Sequence, residues 1–575
     1  MQNNAQTDKN TVMQNAIALY SPKQIYDIEK NWFSKNDSFA LMQQAAWQLA
    51  HIIKQESSNQ KGSRLQKSSH LQKSSHLRKS SYLQKSSHSQ KSVLVVAGAG
   101  NNGGDAWLVA HYVNQLCPNW SVTVVQVAAP STLDSQTAKH MYLSNCANAA
   151  KYLTLTAFLQ PFYELGLSYH YDVVIDGLLG IGLDGKPSAD YQTIINWINQ
   201  YRKQSDFCQV ISIDVPSGLN AATGEVYDDI AIKADKTLCL IGRKVGLHIG
   251  DSKDYVGSVI DVPLLPIEQS GILLHCTLPN LPQRQQVSHK GTYGHVLIIG
   301  GNRLQDGHGM AGAAILAASA ALSSGAGKVT VACHRDFHSA IVTALPNAMT
   351  ADLHNIASVI ELINAVDVVA IGMGLGRDKV TLDLFNQYLT AIKQSEKLCV
   401  IDADGLYHLA DWAGMSDGLN APIQPRLGQS NQRFYLTPHS AEAGRLLNQP
   451  YTDIDRDKIS AIRALAHHYG GNWLIKGAQT VVLERASLER DSFERDCIDI
   501  CGLGNAGMAT AGMGDCLAGL MAGLLGQAIA APMLASVLIH AKAGDTLAEK
   551  MGEYALQANH MASAIGDIIH QITQD

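Results

Sequence analysis

The 575-residue sequence predicts an α/β fold built as two three-layer αβα domains. Three observations carry that prediction. Continuous apolar runs alternate with helical stretches, the pattern of parallel strands covered on both faces. The pattern halts in a proline-rich segment, 261 to 293, with Pro263, Pro266, Pro279 and Pro282, and then restarts. The length also exceeds what one ordinary core organises.

Taken in order, residues 22 to 54 read as helix, with Ile25, Ile28, Trp32, Leu41, Met42, Ala45 and Leu49 at three- and four-residue spacings. From Leu65 a hexad repeats as LQKSSH, LQKSSH, LRKSSY, LQKSSH and SQKS. A period of six gives neither a helix nor a strand a buried face, so an expanded, solvated insertion over about 60–91 is expected. Its eight Lys/Arg without an acid between Lys61 and Lys91 also suit a basic tail for nucleic acid or anionic lipid. SVLVVAGAGNNGGDAWLVAHYV then reads as strand, glycine turn and helix. SVTVVQVA, YDVVIDGLLG, QVISIDVPSG and DKTLCLIG follow as strands. The segment 261–293 reads as a linker, dividing the chain into domains 1–270 and 271–575. Beyond it, GHVLIIGGN is strand and turn, and MAGAAILAASAALSSGAG is an Ala-rich helix closed by Gly325. KVTVAC, DVVAIGMGLG, KLCVIDADGL, RFYLTPHSAE and NWLIKGAQTVVLE are strand-and-turn units.

Composition sets further bounds. A net charge of −6 gives no case for a nucleic-acid surface over the whole molecule. Of ten cysteines, Cys497 and Cys501 are the only close pair, without the second pair of a zinc site, so reduced thiols are expected. MQNNAQTDKN has no apolar export core, and a cytoplasmic location is expected.

Two constellations carry chemistry. In the first, GAGNNGGDA (98–106) lies between a strand and a helix, where glycines admit a ligand and free amides favour phosphate. Asn101, Asn102 and Asp105 stand at that turn; Asp176 and Asp214 end two further strands, and Pro216 and Gly218 fix a turn around Ser217. Together with LMQQAA, DGLLGIGLDGKP and DVPSGLNAATGE, these stretches resemble the N-terminal, Rossmann-like domain of the NAD(P)H-hydrate epimerases over most of residues 20–262. The resemblance implies a potassium ion on Asn102, Asp176 and Ser217. It implies substrate contacts at Asn101, Asn102, Gly103, Gly104, Asp105, Gly180, Ile181, Gly182, Leu183, Asp184, Gly185, Lys186 and Asp214. Epimerisation inverts one carbon, so a proton donor or acceptor is required; Asp214 is the first candidate, with Lys244, in GRKVG, as its assistant.

The second constellation contains a stretch that is ambiguous by itself. Between Asp515 and Lys542 no Asp, Glu, Lys or Arg occurs, long enough for a membrane span, and Gly519 and Gly523 mimic a helix-dimerisation face. GMGDCLAG, however, places glycines and an acid where an apolar helix begins, an anion hole aided by the helix dipole. With Gln527 and Pro532 inside the run, two buried core helices broken near Pro532 are expected. KGTYGHVLIIGG, GMAGAA, GMGLG, IDADGL, LTPHSAEAGRLL, IKGAQT and NAGMATAGMGDCLAG resemble, in order, the ribokinase-like NAD(P)H-hydrate dehydratases from Lys290 onwards. The resemblance implies Asp515 as catalytic base and substrate contacts at Ala313, Gly376, His439 and Asp515. It further implies a nucleotide on Lys476, Gly477, Ala478, Gln479, Thr480 and Gly514, with ADP, and alternatively ATP, as phosphoryl donor and Mg2+ beside it. The expected whole is a potassium-dependent isomerase that interconverts the R and S hydrates of NADH and NADPH, fused to a lyase that dehydrates the S hydrate and so repairs the dinucleotide, a homo-oligomer without nucleic-acid or membrane partners. The competing reading is a vitamin-precursor kinase fused to a non-catalytic Rossmann-like binding module.

Overall fold

The computed structural model describes residues 16–70, 90–145, 152–165, 170–205, 207–268, 270–304, 307–412, 427, 432–485 and 497–574. The chain divides into two compact units, Leu19–Ser270 and Gly271–Asp575, the latter taking also the few described residues before Leu19.

The first unit begins within β1 (Ile17–Tyr20), whose Leu19 and Tyr20 run parallel to β8 (Arg243–Lys244). The central sheet is formed by β2 (Ser92–Ala97), β3 (Ser121–Gln126), β4 (Tyr152–Thr154), β5 (Val173–Gly177), β6 (Gln209–Ile213), β7 (Lys236–Leu240) and β9 (Ser258–Val262). Its order is β4-β3-β2-β5-β6-β7-β9, all parallel. Both faces are covered, as the apolar runs require: Val93, Val95 and Ala97 enter one core, while Leu94 and Val96 enter the other. The helix expected over 22–54 is two helices, Pro22–Phe33 and Ser38–His70, separated at Ser34–Asp37. Ser21 and Gln24 form a reciprocal cap with Pro22 in the first turn, which fixes the start of the first helix. The second continues through the first hexad, where an expanded loop was expected; Leu, Gln, Lys and Arg are good helix formers and extend a helix already nucleated by its packed N-terminal half. The later hexads lie outside the described residues.

The second unit contains β10 (Ile272–His275), β11 (His295–Ile299), β12 (Lys328–Cys333), β13 (Met349–Asp352), β14 (Val368–Ile371), β15 (Leu398–Ile401), β16 (Phe434–Leu436), β17 (Asn472–Ile475), β18 (Val481–Leu483) and β19 (Ile498–Cys501). Their order is β13-β12-β11-β14-β15-β16-β17-β18-β19-β10. Pairing is parallel as far as β17, antiparallel at β17–β18 and β18–β19, and parallel again at β19–β10. β10 corrects the expectation of a structureless linker: ILLH is short, but β19 satisfies its backbone groups.

The charge-free run is two buried helices, Met513–Gly526 and Pro532–Met551, with Pro532 at the first helical position. Gly519 and Gly523 pack against the helix Ala311–Ser323 and its Ser324 cap, where a methyl on either would overlap Ala317 O or Ser324 Oγ. Small residues here permit close helix packing inside a protein core. Among the described residues, no helix is long and apolar enough to cross a membrane.

Candidate active sites

Parallel strands deliver their following loops to one sheet edge, and in the first unit the turns after β2, β5 and β6 meet there. They border a cleft of about 830 Å³ lined by Asn101, Asn102, Asp105, Gly180, Ile181, Gly182, Leu183, Asp214 and Lys244. The helix Pro22–Phe33 forms another wall through Ile25, Tyr26, Glu29, Lys30 and Phe33.

Asp214 leaves β6 with φ +66°, a conformation uncommon outside glycine. Its amide donates to Leu238 O at 2.8 Å, and its Oδ1 accepts from Leu240 N at 3.0 Å and from Lys244 Nζ. Lys244, 1% exposed, also donates to Leu240 O at 2.7 Å. Burial works against its ammonium, but the neighbouring Asp214 carboxylate prevails and raises its pKa above the usual lysine value. Burial drives the Asp105 carboxyl well above the usual range, with Asp214 and Glu29 adding like-charge repulsion. Burial, then Asp214, raises Glu29 to about 6, with Lys244 opposing.

Behind these groups, Asp176 is fully buried and accepts from Ser217 Oγ (2.5 Å), Ser217 N (2.9 Å), Ser212 Oγ (2.8 Å) and Leu178 N (3.2 Å). Burial raises its pKa, and these hydrogen bonds oppose the rise. Asn102 Nδ2 donates to Leu179 O at 2.8 Å, whereas its buried Oδ1 has no hydrogen-bond partner among the described residues. An unpartnered amide oxygen beside a carboxylate and a hydroxyl suits a cation that takes oxygen ligands. Gly103 and Gly104 lie inside the helix Asn101–Leu116; Gly103 has no room for a side chain against Gly98 O. Asp184, Gly185 and Lys186 do not line the cleft, and Lys186 pairs with Asp228 at 2.6 Å in solvent.

In the second unit, Gly512 (φ +90°) precedes the helix Met513–Gly526, setting Asp515 in its first turn. Lys476 follows β17 and donates to Asp402 Oδ1 at 2.6 Å; Asp402 follows β15. A methyl on Gly514 would touch Lys476 Nζ, so the glycine loop lies directly over that pair. Burial, then the Asp402 charge, pushes Asp515 up to about 7, with Lys476 opposing and Asp404 adding to the rise. Lys476 is raised: burial opposes its charge, but Asp402, Glu442 and Asp515 outweigh it.

Asp404 accepts from Gly376 N (2.8 Å) and Arg377 Nε (2.6 Å), fixing the GMGLG turn, where Gly376 has φ +95°. His439 caps the helix Ser440–Leu447: its Nδ1 accepts from Ala441 N at 3.1 Å, and Glu442 Oε2 accepts from His439 N at 2.9 Å. His439 also pairs with Lys476 as an isolated parallel bridge, which brings it to the same edge. Ala313 belongs to the helix Ala311–Ser323 and faces the Gly374 turn. Gly477 and Ala478 are exposed, Thr480 Oγ1 donates to Gly477 O at 3.4 Å, and Gln479 is buried.

Sequence reasoning gave no role to Glu29, Asp402, Asp404, Arg377 or Glu442. The acids in DADGL carried a readable signal, because they follow an apolar strand; Glu29 carried only its helical spacing from Ile25 and Phe33.

The family model described as YjeF-related protein N-terminus matches residues 38–246, and that described as NAD(P)H-hydrate dehydratase matches 296–566. A bifunctional NAD(P)H-hydrate repair enzyme of Coxiella burnetii is 34% identical over 483 residues, covering 82% of this chain and 88% of that one. The one of Escherichia coli is 30% identical, covering 84% and 86%. Among solved structures, a hypothetical protein of Streptococcus mutans is 28% identical, covers 51% of this chain and 95% of its own, and has a TM-score of 0.42. The ADP/ATP-dependent NAD(P)H-hydrate dehydratase of Bacillus subtilis, co-crystallised with ATP and Mg2+, is 22% identical over 51% and 95% of the two chains, with a TM-score of 0.40. The chain belongs to the family of bifunctional NAD(P)H-hydrate repair enzymes, which join an epimerase to a dehydratase.

Proposed function

We propose that epimerisation takes place in the cleft of the first unit and dehydration at the Lys476–Asp515 edge of the second. The domain boundary falls at about Ser270. In the cleft, Asn101, Asp105 and the Gly180–Leu183 loop hold the hydrated dinucleotide, and proton transfer runs through the Asp214–Lys244 pair. Asn102, Asp176 and Ser217 hold potassium; the unpartnered Oδ1 of Asn102 supports this. The ion supplies a fixed positive charge among the loop oxygens.

In the second unit, Ala313, Gly376 and His439 contact the hydrate, while Lys476 to Thr480 and Gly514 take the nucleotide. Asp515 accepts the proton of the hydroxyl on carbon 6. That oxygen bonds to the terminal phosphorus of ADP, the favoured donor, or of ATP, and the bond from phosphorus to the departing nucleotide breaks. Amides from Ala511 to Gly514 meet the charge on the transferring phosphoryl group. Phosphate then leaves carbon 6 with the bonding pair, a proton leaves carbon 5, and the reduced ring is restored. Hydroxide is a poor leaving group and phosphate a good one, so phosphorylation is what makes elimination accessible. No group of three or more metal-ligating side chains occurs among the described residues; Mg2+ bound chiefly through substrate phosphates and water needs no such cage.

The observation that carries this reading is Asp515, held at a helix N-terminus beside a buried lysine with its pKa raised to about 7. Its test is the purified chain given mixed hydrate epimers with ADP or with ATP while the reduced dinucleotide's absorbance is followed. Complete conversion with a nucleotide, faster with ADP, supports the assignment; conversion that ignores nucleotide rejects it.

A further inference from the structure

The cleft of the first unit contains an acidic group beyond the Asp214–Lys244 pair. Glu29 projects from the helix Pro22–Phe33 into the same cavity as Asp214, Asp105 and Lys244. The helix is held by its reciprocal Ser21–Gln24 cap and by Ile25, which is 1% exposed, so Glu29 stands on a fixed wall. The other groups are committed. Lys244 donates to Asp214 and to Leu240 O, and Asp214 Oδ1 also takes the Leu240 amide. Asp105 is buried, and burial raises its pKa well above the usual carboxylate range. Glu29 is only half-buried, and burial together with the Asp214 charge leaves it more basic than an ordinary glutamate, while Lys244 keeps it ionised at neutral pH.

The chemistry of a ring carbon bearing both a hydroxyl and the ring nitrogen calls for two proton-transfer groups. Such a carbon inverts by opening: the hydroxyl loses its proton, the carbon–nitrogen bond breaks, and its electron pair goes to the nitrogen, which takes a proton. The aldehyde so formed turns about its single bond, and the nitrogen re-adds to the opposite face as both protons return. No oxidant or reductant is needed.

We propose that Glu29 is the base that takes and returns the hydroxyl proton, while the Asp214-held ammonium of Lys244 serves the ring nitrogen. This rests on epimerisation residing in the cleft. It assigns the two halves of the proton traffic to two elements lining one cavity, the helix Pro22–Phe33 and strand β8, with one group ionised as a carboxylate and one as an ammonium at the same pH.

The test uses the full chain without nucleotide, following conversion of one purified hydrate epimer into the other by chromatography. Glu29→Gln should lower the epimerisation kcat about 100-fold or more with little change in KM. Wild-type activity should rise as pH increases through about 6, the value to which Glu29 is pushed; this limb should vanish in Glu29→Gln and return in Glu29→Asp with part of the rate. Dehydration of the S hydrate in the same preparation should be unchanged, which separates the effect from misfolding. If Glu29→Gln keeps kcat within about threefold of wild type while Asp214→Asn abolishes it, Glu29 is not the base. If Asp214→Asn is equally silent, the cleft is not the epimerase site and the proposal falls with it.

Discussion

Replacing Asp515 by Asn keeps the shape of the side chain at the start of the helix Met513–Gly526 and removes its capacity to accept a proton. General-base assistance contributes about 100- to 10,000-fold, so kcat for dehydration of the S hydrate should fall by that range while epimerisation stays intact. The structure also fixes a pH signature. Asp515 is pushed to about 7 by burial and by Asp402. A base acts only when ionised, so wild-type kcat/KM should rise through pH 7, lie at about a tenth of its plateau at pH 6 and about a hundredth at pH 5. Asp402→Asn removes the like charge and leaves Lys476 facing Asp515 without its 2.6 Å partner. Both changes favour the ionised carboxylate, so the limb should move to lower pH by about one unit or more. The assay is the absorbance of the reduced dinucleotide at limiting substrate, with the donor saturating. Dehydration within about tenfold of wild type in Asp515→Asn would show that Asp515 is not the base, and a limb that stays in place in Asp402→Asn would show that Asp402 does not tune it.

Four further outcomes are expected. Asp214→Asn, which breaks the buried pair with Lys244, should remove epimerisation alone, seen as rapid conversion of one portion of a mixed-epimer sample followed by a stall at the spontaneous rate. Asn102→Ala should abolish any potassium stimulation of epimerisation and leave dehydration unaffected; persistent stimulation by added potassium would move the ion elsewhere. Gly519→Leu, which drives a side chain into Ala317 of the neighbouring helix, should cost about 1–3 kcal/mol and lower Tm by roughly 2–5 °C, read by calorimetry. Deleting Leu65 to Gln90 should change stability by about 1 kcal/mol or less and spare both activities; salt-sensitive binding to DNA, RNA or anionic vesicles that disappears on deletion would instead make it a functional basic arm.

What could be read from the sequence was what repeats with a short period. SVLVVA, VVIDG and QVISI are mostly apolar because both faces of a parallel strand are buried, and each runs into a glycine or acid that marks the loop edge. That sufficed to bring Asn102, Asp176 and Asp214 together, and to recognise Asp515 at a helix start. Features that depend on distant partners could not be read. Strand β10 is four residues among prolines and is a strand because β19 lies beside it. The break at Ser34–Asp37 interrupts two helices of similar composition and leaves no glycine or proline to mark it. The Lys476–Asp402 pair and the placing of Glu29 in the same cleft as Asp214 arise from the order of strands, which no local pattern encodes.

The central claim is that each unit performs one reaction in its own site, and mixing two variants tests it most directly. Asp214→Asn alone should dehydrate only the S portion of a mixed-epimer sample, and Asp515→Asn alone should dehydrate none. Combined in one cuvette with ADP, they should restore complete conversion, because hydrate epimerised on one chain can diffuse to the dehydratase of another. A mixture that still stalls at the S portion would contradict the account.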